Sequence, residues 1–215
     1  HALEQRCASI KASSSSNLIV HYFQTVAFRA EHEERWLWDD VANPTSWLAS
    51  LWSQSPPCQS SGPLWTTAAL KTVGGWSEDI QVWQDIDIHQ RAYFKGIRFI
   101  PSELSEPDVL YRIHDASLSH SGFHSNQKLK SRAIVLLSAL HHAQKNELEV
   151  HEYKSLAQMT WSVFRNACAV RNWAIAESII EASQNTPEIP TRFLSHWKLH
   201  SLVRSQKLPF IRNRM

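Results

Sequence analysis

The chain has 215 residues, 43% of them hydrophobic and 20% charged, and a formal net charge of +2. This composition suits one ordinary globular domain, or one with a small appendage, and excludes general disorder. The charge is too small to argue for nucleic acid, although no acidic residue follows Glu188 while Arg192, Lys198, Arg204, Lys207, Arg212 and Arg214 do, a locally basic tail.

Taken in chain order, residues 2–12 read as the end of a helix with Leu3, Cys7 and Ile10 on one face. A serine link leads into residues 17–28, whose Ile19, Val20, Tyr22, Phe23 and Val26 predict one or two strands. Residues 31–40 are charged and tryptophan-bearing and are expected to be a loop or short helix. A short helix is expected over 46–54, a proline- and serine-rich loop over 55–62, and a short strand over 64–66. Residues 68–73 read as a brief helix closed by Gly74 and Gly75. Residues 83–95 read as a longer helix that Gly96 ends, followed by strands over 97–100 and 109–113. From about residue 126 the pattern changes to amphipathic helices, over 129–145, 152–171 and 173–182. The expected organisation is a mixed α/β part over 1–125 and a helical extension with a basic tail over 126–215.

Cys7, Cys58 and Cys168 are odd in number and far apart. They form no disulfide framework by spacing, which makes a reducing cytoplasm the default expectation. No apolar run is long enough to span a bilayer. Ten tryptophans suit either a core or sugar-facing surfaces, because an indole face packs on a pyranose ring.

The informative stretch runs from Gly62 to His120. It contains Gly62 before a short strand and helix, Gly74-Gly75-Trp76, Gln84-Asp85 opening a helix that carries Arg91, then Gly96, and finally Tyr111-Arg112-Ile113-His114 with Ser117 and Ser119. In order and spacing over roughly sixty residues these elements resemble the second half of the family 2 glycosyltransferase domain. The resemblance implies an α/β fold, the second half of an A-type nucleotide-diphospho-sugar transferase fold followed by an α-helical appendage. It implies inverting transfer of a sugar from a nucleotide-sugar donor to a saccharide or lipid-linked glycan.

The same resemblance places Asp85 at the position of the catalytic base, which takes the acceptor hydroxyl's proton. An Asp at a helix start also serves as a cap or dipole partner. Gly62, Gln84 and Arg112 fall on the donor side and Trp76 and Trp83 on the acceptor side. Gln84 stands where the family often has Glu. His114 is the candidate ligand for a divalent Mn²⁺ or Mg²⁺ ion, with a backbone-bonded loop histidine as its plain alternative. His120 and His124 lack the cysteines of a structural zinc site. Asp87 and Arg91, four apart, are expected to pair.

The family's Asp-x-Asp metal motif is not found before this region, and Asp39-Asp40 does not follow an apolar strand. The chain is therefore expected to be a piece of a longer enzyme, inactive alone, with the main metal ligands in a preceding nucleotide-binding half. The basic tail is a candidate for peripheral contact with the inner face of a membrane, against a packed or solvated helix. The competing expectation is a non-catalytic helical interaction module or a vestigial transferase remnant.

Overall fold

The computed structural model describes residues 2–10, 18–29, 34–37, 46–102, 107–114, 125–186, 189 and 191–205. The chain is mixed α/β with a helical C-terminal part. It divides into two compact units, His1–Glu78 with Gln84–Ser121, and Asp79–Trp83 with Gly122–Met215.

The first unit is organised by β1 (Ile19–Phe23), whose five residues are all buried. A strand covered on both faces needs no polar alternation, which is why this segment reads as a near-continuous apolar run. β1 is the middle strand of a three-stranded sheet. On one side it pairs antiparallel with β4 (Pro63–Trp65), Val20 facing Trp65. On the other it pairs parallel with β5 (Arg98–Ser102), Val20 facing Phe99. α1 (Ala2–Ile10) precedes this sheet in the chain.

A helical crossover joins β4 to β5. α3 (Thr67–Val73) is capped by the Thr66 hydroxyl at its start and ends on Gly74 in the left-handed region, φ 81°. α4 (Gln84–Phe94) follows. Gly96, at φ 72°, then turns the chain into β5, a conformation that costs glycine nothing. Val20, Ala69, Val73, Ile88, Ala92 and Ile97 close the core between sheet and helices. Because α4 feeds β5 through a single tight turn, it runs back along that strand. Its N-terminus therefore lies toward the carboxyl ends of the parallel pair β1 and β5.

After β1 the chain passes through Gln24 into β2 (Thr25–Arg29), which belongs to a second sheet of order β3-β2-β6. β3 (Glu34–Leu37) pairs antiparallel and β6 (Val109–Arg112) parallel to β2. Here the expectation for residues 31–40 is corrected: part of this segment is a strand, not a loop or helix. Val26 faces Leu37 and Arg29 faces Glu34 across the pair, and it is this partner strand, not local preference, that sets the conformation. α2 (Trp47–Trp52) is short, capped by Ser46, and buries Trp47, Leu48, Leu51 and Trp52.

The second unit contains α5 (Asn126–Lys145), α6 (Val150–Ala169), α7 (Trp173–Gln184) and α8 (Thr191–Ser205). α5 and α7 are capped by the Ser125 and Asn172 side chains, and the Glu149 N–H donates to Glu152 at 2.9 Å before α6. Such caps add a polar first turn that apolar periodicity does not register, so α5 begins three residues before its expected start. α5, α6 and α7 pack on one another, and α8 lies on α6 and α7. Leu136, Leu140, Leu156, Met159, Phe164 and Ile179 are fully buried among them. No helix among the described residues is long and apolar enough to cross a membrane.

Candidate functional site

Asp85 occupies the second position of α4, partly buried. Its Oδ1 accepts from the Ile86 N–H at 2.9 Å, and its Oδ2 accepts from the Ser60 hydroxyl at 3.2 Å. An N-cap side chain reaches two or three residues ahead; this carboxylate does not. It is a first-turn acid in the favourable field of the helix N-terminus, with acceptor capacity beyond the two bonds it makes.

Ser60 comes from the loop that leads into β4. Two residues on, Gly62 accepts the Phe23 N–H at 3.1 Å, so this loop and Asp85 meet at the carboxyl end of β1. In open α/β sheets that end is where ligands are bound. Gly62 is buried, and a Cβ there would lie 2.9 Å from the Phe23 carbonyl oxygen. Close chain approach thus accounts for the glycine within the fold itself.

Two titratable groups sense the Asp85 charge from the buried side. The Cys58 thiol is pushed up, first by burial and then by Asp85. His89, one turn after Asp85, is fully buried, and burial drives its pKa down against the opposing pull of Asp85. Neither ring nitrogen of His89 has a hydrogen-bond partner among the described residues. The ring sits against aromatics: Trp65 stacked at 5.7 Å, Phe99 edge-on at 5.5 Å and Trp47 edge-on at 5.8 Å. An imidazole so placed is held neutral by its surroundings.

The other sequence-derived positions are distributed. Arg91 pairs with Asp87 at 2.5 Å and donates to the carbonyls of Val73 and Gly75, so it organises the turn after α3. Trp76 follows that turn and is 45% exposed. Gln84 is exposed at the start of α4. Trp83 belongs to the helical unit; its φ is 66° and the Arg132 guanidinium lies 5.6 Å from its ring. Arg112 is exposed at the end of β6, and His114 follows two residues later, partly buried. Among the described residues no hydrogen bond or ion pair joins either of them to Asp85. Ser117, Ser119, His120, His124, Asp39 and Asp40 lie outside the described residues.

Four residues of this region escaped the sequence reading: Ser60, Arg6, Asp108 and His89. Arg6 is 7% exposed and makes a bidentate pair with Asp108, 102 positions away, at 2.6 Å for each bond. No local signal announces a pair so distant. His89 was legible only as one more helical residue.

Among the described residues no group of three or more His, Cys, Asp or Glu side chains is placed to hold a metal ion. His114 by itself would supply one of the several ligands that a divalent ion takes. Two surface grooves lie in the helical unit. One, about 480 Å³, is lined by Trp173, Glu177, Ile180, Lys198 and Leu202 among others. The other, about 520 Å³, is lined by Lys130, Arg171 and Asn172 among others. Neither contains a sequence-derived site residue. In the basic segment, Leu194 and Trp197 of α8 are buried, with Trp197 stacked 5.7 Å from Trp161 and from Phe164, while Leu199 and Leu202 are exposed. The helix uses one side for packing.

No protein-family model, curated protein or solved structure matches the chain.

Proposed function

We propose that this chain carries the catalytic and acceptor side of an inverting glycosyltransferase resembling family 2, moving a sugar from a nucleotide-sugar donor to a saccharide or lipid-linked glycan. The observation that carries the proposal is the Asp85 carboxylate. It stands at a helix start, at the carboxyl end of a parallel strand pair, oriented by the Ser60 hydroxyl and the Ile86 N–H. Support also comes from the ordered run of Gly62, Gly74-Gly75-Trp76, Gln84-Asp85, Gly96 and Tyr111–His114 along one unit. In this reading the mixed sheet around β1 is the later half of an A-type fold.

The chemistry asked of Asp85 is specific. As the acceptor oxygen attacks the anomeric carbon, its proton passes to the carboxylate. The bond from that carbon to the donor phosphate breaks, and the nucleoside diphosphate leaves with the electron pair. Configuration inverts because attack and departure occur on opposite faces. The Ser60 bond fixes which way the carboxylate faces, and orientation of this kind governs whether a base reaches its proton. Gln84 and Arg112 are assigned to the donor side and exposed Trp76 to the acceptor side, where its indole suits a sugar face. Trp83 remains an acceptor-side assignment from sequence, and His114 a metal-side one.

The test is release of nucleoside diphosphate from a panel of nucleotide sugars, with oligosaccharide and lipid-linked acceptors, by the full protein that carries this chain. Asp85→Asn should reduce turnover by roughly 10²- to 10⁴-fold, the range for loss of a general base. Unchanged turnover in Asp85→Asn, or no release with any donor, would leave the interaction-module reading in its place.

A further inference from the structure

The geometry points to Arg6 as a positioning residue for Asp85, acting through the loop at 58–62; only its consequence for turnover rests on the transferase reading. Arg6 lies on α1, far from Asp85 in sequence. Every nitrogen of its guanidinium is engaged. Nε and Nη2 donate to the two carboxylate oxygens of Asp108 at 2.6 Å. Nη1 donates to the Ser61 carbonyl at 3.0 Å and the Gly62 carbonyl at 3.2 Å. The guanidinium carbon lies 4.8 Å from the centroid of the Phe23 ring.

Neutralising Asp108 would need only two of these bonds. The third nitrogen ties down the residues that immediately follow Ser60, and Ser60 donates to Asp85. The turn itself is closed from within, where Gln59 accepts from the Ser61 N–H at 2.7 Å and its carbonyl accepts from the Gly62 N–H at 2.7 Å. The turn is also tied to the end of β1, where the Gly62 carbonyl accepts the Phe23 N–H at 3.1 Å, but none of these bonds reaches α1 or the approach to β6. Arg6 links it to α1, to the approach to β6 and to the aromatic face of β1, three parts of one unit. A planar fork with five N–H donors can hold a carboxylate and two carbonyls together, whereas a lysine ammonium cannot span them. The Asp108–Arg6 pair therefore sets where the Ser60 hydroxyl stands, and through it the direction of the Asp85 carboxylate.

The experiment uses the chain labelled with ¹³C at aspartate carboxyls, followed by NMR at neutral pH. The Asp85 resonance is the one that Asp85→Asn removes. Ser60→Ala should displace this resonance, and Arg6→Lys should displace it in the same direction. Adding Ser60→Ala to Arg6→Lys should then move it little further, the signature of two residues acting on one contact. Independent, additive displacements, or an Asp85 resonance that ignores Arg6→Lys while responding to Ser60→Ala, would overturn the proposal. If Arg6→Lys fails to fold, Asp108→Asn carries the same test, since it weakens one side of the fork and keeps a partner for the other. In the turnover assay Arg6→Lys should lower kcat by about ten- to a hundredfold with KM held, the mark of a misaimed group. Should Asp85→Asn leave turnover intact, the transferase reading fails while the resonance result stands by itself.

Discussion

Each of the two units has an apolar core, and they differ in the polar bonds that join distant segments within each. The helical unit is built from amphipathic helices with Leu136, Leu140, Met159 and Phe164 buried between them, and its polar links between distant segments are neutral ones, such as Gln144 to the Ala182 carbonyl at 3.0 Å and Asn172 to Asn126 at 3.3 Å. In the mixed unit two guanidinium forks and a buried side-chain bond tie helices and turns together. Arg6 reaches Asp108, Ser61 and Gly62; Arg91 reaches Asp87, Val73 and Gly75; and Trp52 donates to Gln90 at 3.1 Å. Apolar packing is non-directional and tolerates small adjustments. Guanidinium forks are directional and add geometric specificity.

That contrast can be broken from either side. Truncating a buried aromatic, Phe164→Ala, should cost about 3–5 kcal/mol, with loss of amide-exchange protection centred on α6. Protection lost first in β1 and β5 would contradict the division of labour. In the mixed unit, Asp108→Ala should cost about 3–5 kcal/mol in urea denaturation, because it leaves a buried guanidinium unpaired. The exchange of both partners, Arg6→Met with Asp108→Leu, should recover much of that stability while displacing the Asp85 resonance, separating stability from aim. A double variant as unstable as Asp108→Ala would show that the ion pair itself supports the fold.

A smaller effect is expected from Gly62→Ala, whose methyl would meet the Phe23 carbonyl; about 1–3 kcal/mol is expected for such overpacking. A wild-type midpoint in this variant would remove the steric account of the glycine. The last effect is a pH dependence. Burial lowers the pKa of His89 in the folded chain, so below the ordinary histidine pKa of about 6.5 the unfolded chain binds a proton that the folded chain refuses. The contribution is complete above that pH and is lost as pH falls toward the depressed folded value. Melting temperature should therefore drop between pH 7 and pH 5, and His89→Phe, which keeps a flat ring among Trp47, Trp65 and Phe99, should flatten the drop. An equal drop in both proteins would assign it to other groups.

Much of the local structure was legible in the sequence for identifiable reasons. The β-branched and aromatic residues of 17–28 announced one or two strands, Gly74 and Gly96 marked the ends of α3 and α4, and the i, i+4 spacing of Asp87 and Arg91 announced their pair. These are features whose cause lies within a few residues. The resemblance also singled out Asp85 among the acids. The strand at Glu34–Leu37 was not legible, because a partner strand made it. Nor were Arg6 with Asp108, Ser60 with Asp85, or the aromatic surroundings of His89, since each joins residues that sequence spacing does not relate. The sequence by itself determined most of the elements, several of their ends and, through the resemblance, which acid stands as the candidate base. Only tertiary structure decided which distant side chains meet around Asp85 and its neighbouring loop, because bonds across as many as 102 residues form after the chain has closed on itself and leave no periodic trace along it.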